Sequence, residues 1–355
     1  MQGDPLADAV IESMSGLTPE VGRAMIERAL VNGTESVSGM PPALGPLVRQ
    51  THTEPDWLDW DLLDLGGATF LRTGPFGFLA LVCYALPLAY ASPDANKPLA
   101  LSGHLVDRAP RRLAETGQFV LEVCRPGGLR RGGAGFAACL KVRLMHARVR
   151  RSLQSSPKWN LAEWGVPINQ ADMAGTSVVL SVLALDALQY LGFHFTARER
   201  EAVVHLWRYV GYLMGVEPEL LSHSETEARH LAEAIGMSVR PPDEDSRQLT
   251  HALLDARLLG ATPVPGFSGF YHTLARLLLG DQLADSLHLP RKRAHSLAVP
   301  LLRRAIPAAE LARRMIPGLH TLAVVSGVRL WDSALSFGLA GMPAEFHTAA
   351  GCPVH

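Results

Sequence analysis

The sequence has few cysteines, few aromatic residues and no excess of either charge. Its 4 cysteines form no CxxC pair, so neither a disulfide framework nor a cysteine zinc site is expected. Lys and Arg number 33 against 34 Asp and Glu, so we predict no basic surface that would bind nucleic acid. The thiols lie in or beside apolar runs and are predicted to be free and buried: Cys83, Cys124, Cys139 and Cys352.

The composition favours helices. Aromatic residues make up 6% of the chain while Leu and Ala abound, which suits helical packing better than a β-sandwich. No stretch of β alternation and no internal repeat is visible. We predict an all-α fold: a single large helical domain at residues 51–290, an N-terminal helical extension at 1–50 and C-terminal helices at 291–355 that pack on the core.

Several enzyme signatures are absent. The sequence contains no GxSxG elbow, no GxxxxGK[ST] phosphate loop, no GxGxxG after a strand and no HExxH metal motif. Clusters of His, Asp and Glu at metal-binding spacing are also not apparent. This leaves a cofactor held by one histidine as the metal option, and haem is the cofactor that needs only one.

Two features bear on location. The N-terminus, MQGDPLADAVIE, has neither a basic leader nor a long apolar core, so we expect a cytoplasmic protein. Residues 74–91 carry no charge over a length that nearly crosses a bilayer. Pro75, Pro87, the short length and charged flanks favour a buried core helix, and membrane association is the alternative.

Turn and capping residues divide the chain into helices. Thr196 and Glu199 form a capping box that predicts a helix from Ala197 to Met214. Asn169 and Asp172 indicate a cap at the start of the predicted 171–191 helix. A break at SPDANKP and a glycine-rich segment separate other predicted helices. The remaining predicted helices are one or two in the first fifty residues around a loop at 31–45, then 57–72, 74–91, 110–124, 137–155, 171–191 ending at Gly192, 225–236, 245–259, 268–285, 291–304, 308–316 and 319–338.

The stretch KVRLMHARVRR at residues 141–151 places His146 among cationic and aliphatic side chains. Its helical neighbours at spacings of three and four are Val142, Arg143, Val149 and Arg150. Positive charge and partial burial both disfavour imidazolium, so a nitrogen lone pair stays available near neutral pH. From the residues alone, His146 is either a core histidine bonded to a carbonyl or a metal ligand.

Two further groups of residues are candidates for a site. Arg112, Glu115 and Thr116 share one face of the helix before His146, where an exposed Arg112–Glu115 pair is the simpler interpretation. In the 197–214 helix, His205 and Arg208 are candidates for a pocket wall. An ordinary, tightly packed amphipathic helix is the alternative there.

Four segments carry a resemblance to a known family, in this order: RRLAETGQFV, RLMHARVRR, WGVPINQADMAGT and HLWRYVGYLMGV. They resemble the haem b oxygenase family, whose members include the bacterial latex-clearing protein, a rubber oxygenase, and an oxygenase of fungal mycophenolic acid biosynthesis. The resemblance covers roughly residues 57–236 and is fainter at 270–289. It implies a helical, globin-like core around a haem pocket.

The resemblance assigns roles to matching positions. The histidine of the family's MHAxxR motif is the proximal ligand of the haem iron, which implies this role for His146, with Arg150 completing the motif. The RxxxT motif lies over the distal face, which implies distal positions for Arg112 and Thr116. Where the latex-clearing protein has a lysine able to occupy the sixth iron position, this sequence has Glu115, which puts that closure and a rubber substrate in question.

The resemblance leads to a functional hypothesis. It implies a haem b oxygenase that uses dioxygen on a hydrophobic, possibly unsaturated small molecule, with Arg112 and Thr116 polarising the oxygen and Glu115 accepting a proton. The alternatives are a haem-binding protein without turnover and a cofactor-free helical interaction or membrane-associated protein. Guanidinium groups bind carboxylates well, so four arginines are candidate partners of the haem propionates: Arg143, Arg148, Arg150 and Arg151.

Overall fold

The computed structural model describes residues 2–32, 39–101, 109–256, 267–291 and 298–339. These residues form α-helices and no strand, which confirms the all-α prediction. Two π-helical segments, Leu81–Ala85 and Val179–Leu183, join α5 to α6 and α11 to α12. The helices are α1 Pro5–Ser13, α2 Pro19–Asn32, α3 Leu44–His52, α4 Trp60–Leu71, α5 Pro75–Ala80, α6 Leu86–Tyr90, α7 Pro93–Ala100, α8 Ala109–Cys124, α9 Ala134–Gln154, α10 Leu161–Trp164, α11 Gln170–Val178, α12 Ala184–Leu191, α13 Ala197–Met214, α14 Glu225–Ser238, α15 Glu244–Asp255, α16 Phe267–Leu279, α17 Asp281–Ser286, α18 Ala298–Met315 and α19 Leu319–Gly338.

The helix ends marked by capping residues lie where the sequence predicts them. The Thr196 hydroxyl accepts from the Glu199 N–H, and the Glu199 carboxylate accepts from the Thr196 N–H, which starts α13 at the predicted residue. Asn169 and Asp172 form a second reciprocal box at the start of α11. Gly192 ends α12 with a φ of 112°. Local side-chain hydrogen bonds therefore set these boundaries.

Two helix breaks predicted at proline residues are wrong. The SPDANKP segment, expected to be a break, forms α7 because Pro93 occupies a first-turn position that needs no N–H donor. The helix expected to end before Pro307 continues through it as α18. Ile306 and Glu310 are both buried, so packing on either side holds the helix together across the proline. Parts of the predicted 31–45 loop and of the helices at 245–259 and 291–304 lie outside the described residues.

Helix α4 is closely packed on two sides. A Cβ on Gly66 would overlap the carbonyl oxygen of Ala202 in α13, and one on Gly67 would overlap that of Cys124 at the end of α8. Only glycine allows the two neighbouring backbones to approach this closely. Helix α4 therefore forms the centre of the layer that joins α8 to α13.

The uncharged 74–91 stretch lies inside the fold. It forms α5, a π-helical segment and α6, and its Leu81, Val82 and Cys83 are buried. Together with α4, to which it is bent by 85°, it is long and apolar enough to be a broken membrane span. The continuous helical segment Gln170–Leu191 is also long and apolar enough to cross a membrane, but 56% of its most apolar part is buried inside the protein. Three of the four cysteines, Cys83, Cys124 and Cys139, are free and buried as predicted, and Cys352 lies outside the described residues.

Both ends of the chain pack on this helical core. In the N-terminal part, Val10, Leu47 and neighbouring apolar residues cluster with Leu144 and Ala147 of α9. In the C-terminal part, the Trp331 indole N–H donates to the carbonyl of Gly74 at 2.9 Å, and Leu335 is buried. The division at residues 50 and 290 stays a prediction.

Candidate functional site

His146 lies near the middle of α9 and is partly buried. Its Nδ1 atom is inaccessible to solvent and has no hydrogen-bond partner among the described residues. Burial lowers the pKa of His146 from its ordinary value of 6.5 to about 4; the charge of Arg150 lowers it as well, whereas that of Asp4 raises it. The imidazole is therefore neutral near pH 7 and carries a lone pair, as a metal ligand must.

The hairpin of α8 and α9 places Arg112 at the height of His146. An ideal Cβ on Gly135, in the first turn of α9, would lie 2.5 Å from the Glu122 carbonyl oxygen and 2.9 Å from the Val123 Cα, so these residues are in register. Arg112 lies ten residues before Glu122 and His146 eleven residues after Gly135, each about 15 Å along its helix at 1.5 Å per residue. The antiparallel pair thus brings the two predicted site residues to the same level.

Arg112 belongs to a polar group at the start of α8. Burial raises the pKa of the Tyr90 phenol and the charge of Arg112 lowers it, so the guanidinium acts on this hydroxyl. The Asn96 amide donates to the Tyr90 carbonyl at 2.8 Å and to the Ser246 hydroxyl at 2.9 Å. Asn96 is 1% exposed, and its Oδ1 is buried without a partner among the described residues. Asn96 is not among the candidates predicted from the sequence, because the SPDANKP segment is typical of a loop.

Glu115 has a different partner from the one predicted. Its Oε1 accepts from the Nε of Arg111 at 2.9 Å, four residues earlier, and not from Arg112 in any hydrogen bond that the described residues show. The Glu115 side chain is 20% exposed and that of Arg111 36%. Thr116, the next residue of α8, is partly buried. The carboxylate at this position is thus held by a half-exposed cation.

Three of the predicted propionate partners bind the N-terminal segment: Arg143 binds Asp4, Arg150 binds Asp8 and Arg151 binds the Ile11 carbonyl. The Arg143 guanidinium donates to both oxygens of Asp4, at 2.6 and 3.0 Å, and also to the Gln50 side chain and the Leu213 carbonyl. Four of its five N–H donors are therefore used, and a propionate role for Arg143 has little geometric basis. Asp4 is 2% exposed and caps α1. An Asp followed by Pro is a typical pattern for the start of a helix, and this pattern could have identified Asp4 from the sequence.

The other arginines of this stretch differ from Arg143. Arg150 is 1% exposed; its Nε donates to Asp8 at 2.8 Å and its Nη1 to the Ile168 carbonyl at 2.6 Å. Its Nη2 is buried without a partner among the described residues, so one donor of Arg150 remains available. Arg151 donates to the Ile11 carbonyl at 3.1 Å, and Arg148 is exposed.

His205 and Arg208 have structural contacts. The Nε2 of His205 accepts from the backbone N–H of Asp59 at 3.0 Å, and its ring contacts Trp57 edge to face. Burial lowers the pKa of His205, which keeps that nitrogen an acceptor. The Arg208 guanidinium lies 3.7 Å from the centroid of the Trp57 ring and donates to His223. The ordinary packed helix is the interpretation that these contacts favour, and Arg208 lines only a small cleft.

The fold and the site define a class of protein: a helical protein in which a partly buried, neutral imidazole lies level with the arginine-bearing first turn of a neighbouring helix. Residues 70–310 match the family model described as "ER-bound oxygenase mpaB/B'/Rubber oxygenase, catalytic domain", and the chain belongs to this family of oxygenases.

Two relatives show how far the similarity extends. The rubber oxygenase of Streptomyces sp. (strain K30) is 25% identical over 312 residues, which cover 86% of this chain and 72% of that protein. The structure of latex clearing protein LCP in the closed state superposes with a TM-score of 0.69 at 21% identity, and the alignment covers 93% of this chain and 90% of that one. The second comparison establishes the shared fold.

Proposed function

We propose that this oxygenase is haem-dependent, that His146 holds the iron of haem b, and that the substrate is a hydrophobic, possibly unsaturated small molecule. The observation that carries the proposal is the His146 imidazole, which is neutral and has a buried Nδ1 without a partner in the part of the chain that the structure describes. A buried polar atom without a partner costs about 1–3 kcal/mol, so a ligand that engages the ring would remove a penalty. Haem supplies an iron centre that activates dioxygen.

The residues around His146 fit the group. His146 would hold the iron of a bound haem, which one protein nitrogen suffices to do. The Nη2 of Arg150, four residues from His146, has no partner among the described residues and would be a donor suited to a propionate carboxylate. Arg143 holds the N-terminal end of α1 against α9 through Asp4, one turn from His146.

On the α8 side, Arg112 and Thr116 are the donors that we assign to substrate oxygen. Both lie on one face of α8, at the height of His146, and a guanidinium and a hydroxyl stabilise negative charge that develops on an oxygen atom. Glu115 lies between them in sequence and is the proton acceptor that we assign. The Nε of Arg111 donates to its Oε1 at 2.9 Å and holds the carboxylate in place.

Dioxygen consumption tests the proposal. The ferrous, haem-loaded protein is assayed with unsaturated fatty acids, terpenoids and short polyisoprenes, and at least one class should stimulate oxygen uptake. Arg112→Ala should lower this rate by about 10²-fold or more, the usual cost of removing a preorganised donor, with haem content unchanged. Arg198→Ala, an exposed arginine of α13, is the matched control. Uptake that ignores every substrate, or that Arg112→Ala leaves unchanged, contradicts the assignment.

A second candidate function is haem binding without turnover. The Arg111–Glu115 ion pair motivates it, because it occupies the carboxylate to which we assign proton transfer. The same experiment separates the two functions, since a binding or sensing protein retains its haem and consumes no dioxygen with any substrate. A cofactor-free interaction protein would bind no haem at all.

A further inference from the structure

Three metal-ligating side chains meet at a position outside the proposed haem site. One ligand atom from each of His251, Asp255 and His272 lies within 4.8 Å of the other two. His251 and Asp255 are one turn apart on α15, and His272 comes from α16. The Nε2 of His272 lies 3.8 Å from the Oδ1 of Asp255, and the centroids of the two imidazole rings are 5.5 Å apart.

A backbone carbonyl orients His251. The Nε2 of His251 lies 3.2 Å from the carbonyl oxygen of Leu287. Because a carbonyl can only accept, this contact places the ring proton on Nε2 and leaves the lone pair on Nδ1. Histidine ligands of metals usually donate their second ring N–H to a carbonyl or carboxylate in this way, which fixes the tautomer.

The local charge also suits a cation. Each imidazole has one ring nitrogen with a lone pair in its neutral form, which is the form that binds metals. Asp255 adds a carboxylate, and it is the last residue of α15, where the helix dipole is negative. The Asp255–His272 contact by itself contributes little, because the carboxylate is 58% exposed.

We propose that His251, Asp255 and His272 bind a divalent transition-metal ion, with Zn²⁺ as the best match. Two imidazole nitrogens and one carboxylate oxygen form a donor set that Zn²⁺ accepts, with water as the fourth ligand. Bond lengths of about 2.0–2.2 Å require ligand atoms roughly 3.4 Å apart in a tetrahedron, so separations of up to 4.8 Å must shorten by at most about 1.4 Å. The exposed Asp255 side chain makes that movement possible, and the bound ion clamps α15 to α16.

Metal titration of the haem-loaded protein tests this site. After treatment with a chelator, ZnCl₂ is titrated by calorimetry, and CoCl₂ by its visible absorption, which reports imidazole ligation. We expect one Zn²⁺ per chain in the wild type. Asp255→Asn, which keeps the size of an exposed side chain, and His272→Gln should each weaken binding at least 10-fold, since even supporting residues of metal sites have effects of about 10- to 100-fold.

The controls distinguish this site from others. His230→Ala removes an exposed histidine of α14 and should leave the affinity unchanged. Zn²⁺ should raise the midpoint of thermal unfolding of the wild type, because a ligand that binds only the folded state stabilises it, and should not do so in Asp255→Asn. The Soret band should stay in place throughout.

Three results would overturn the proposal: no stoichiometric Zn²⁺ binding by the wild type, equal affinity in Asp255→Asn, or a Soret shift that assigns the bound metal to the haem site. The proposal does not depend on haem binding, because the three residues lie on α15 and α16 and the calorimetric readout needs no turnover. Loss of the proposed oxygenase function would therefore leave it intact.

Discussion

Arg143 and Asp4 form a buried ion pair that fixes the N-terminal helix to the helix of His146. The Nε of Arg143 lies 2.6 Å from the Oδ2 of Asp4, and each side chain is 2% exposed. Arg143 precedes His146 by three residues, so the pair lies one turn away on α9. It links the sequence segment predicted to be an extension directly to the candidate site.

Removing one charge of this pair should destabilise the fold strongly. Asp4→Asn keeps the helix cap but leaves the Arg143 guanidinium buried without a counter-ion, which we expect to cost about 3–5 kcal/mol. Asp94→Asn is the matched control, because both members of the Asp94–Arg240 pair are exposed, at 35% and 46%, so its loss should be about 0–1 kcal/mol. Urea unfolding measures both. Equal losses in the two variants would contradict the role assigned to the Arg143–Asp4 pair.

The close packing of Gly66 predicts that alanine destabilises the protein at this position but not at an exposed glycine. Gly66→Ala places a methyl group against the Ala202 carbonyl, and we expect about 1–3 kcal/mol of destabilisation from the displaced backbone. Gly236→Ala, in α14, has nothing within 4 Å of the new Cβ and should stabilise the protein by about 0.5–1 kcal/mol through helix propensity. Thermal unfolding of both variants checks the opposite signs. A neutral Gly66→Ala would show that α4 and α13 approach less closely than described.

The raised pKa of Asp172 predicts that the stability of the fold falls as the pH rises from 4 to 6. Burial raises its pKa from 3.8 to about 6, against the hydrogen bond from the Asn169 N–H, which lowers it. The folded state therefore binds a proton more tightly than the unfolded state, so this group contributes stability below pH 4 that is lost as the pH rises through 6. Asp172→Asn keeps an acceptor for the cap and should remove this loss, on the order of 2–3 kcal/mol.

Unfolding experiments between pH 4 and 7 test the sign. The difference in stability between Asp172→Asn and the wild type should grow in favour of the variant as the pH rises from 4 to 6 and then level off. A difference that is constant with pH, or that shrinks, would show that the Asp172 carboxylate is not desolvated.

Glu115 has a testable catalytic assignment. Glu115→Gln should lower the substrate-dependent dioxygen consumption by about 10²-fold, the typical contribution of a positioned proton acceptor, while haem content is unchanged. Arg111→Gln, which removes the partner of the carboxylate but not the carboxylate, should keep the rate within a few-fold of the wild type. Full activity in Glu115→Gln would remove Glu115 from the mechanism and leave Arg112 and Thr116 as the residues to consider.

The sequence predicted what depends on local patterns. Capping boxes gave the start of α13, and the neutral imidazole of His146 followed from its neighbours on α9. Long-range pairing was not predictable from spacing: Arg143 is one of four candidate partners of the propionates by sequence, and in the structure it binds Asp4, 139 residues away. Likewise Glu115 has Arg111 as its partner and not Arg112, because two adjacent arginines offer the same spacing within one residue.

Tertiary contacts also overrode local signals. Pro307 reads as a helix end, but buried residues on both sides of it hold α18 continuous. The cluster of His251, Asp255 and His272 could not be found from spacing alone, since His272 comes from a different helix and only the packing of α15 on α16 brings it close. A site whose residues come from two helices can be predicted only once the fold is known.

The absorption spectrum of His146→Ala, purified after expression with added haem, tests the central claim most directly. The wild type should show a Soret band corresponding to one haem per chain, and His146→Ala should lose most of the haem or shift the band. His205→Ala, which removes a buried histidine bound to the Asp59 N–H, should retain the wild-type spectrum. A His146→Ala variant with full haem occupancy and an unchanged Soret band would contradict the assignment of His146 as the iron ligand.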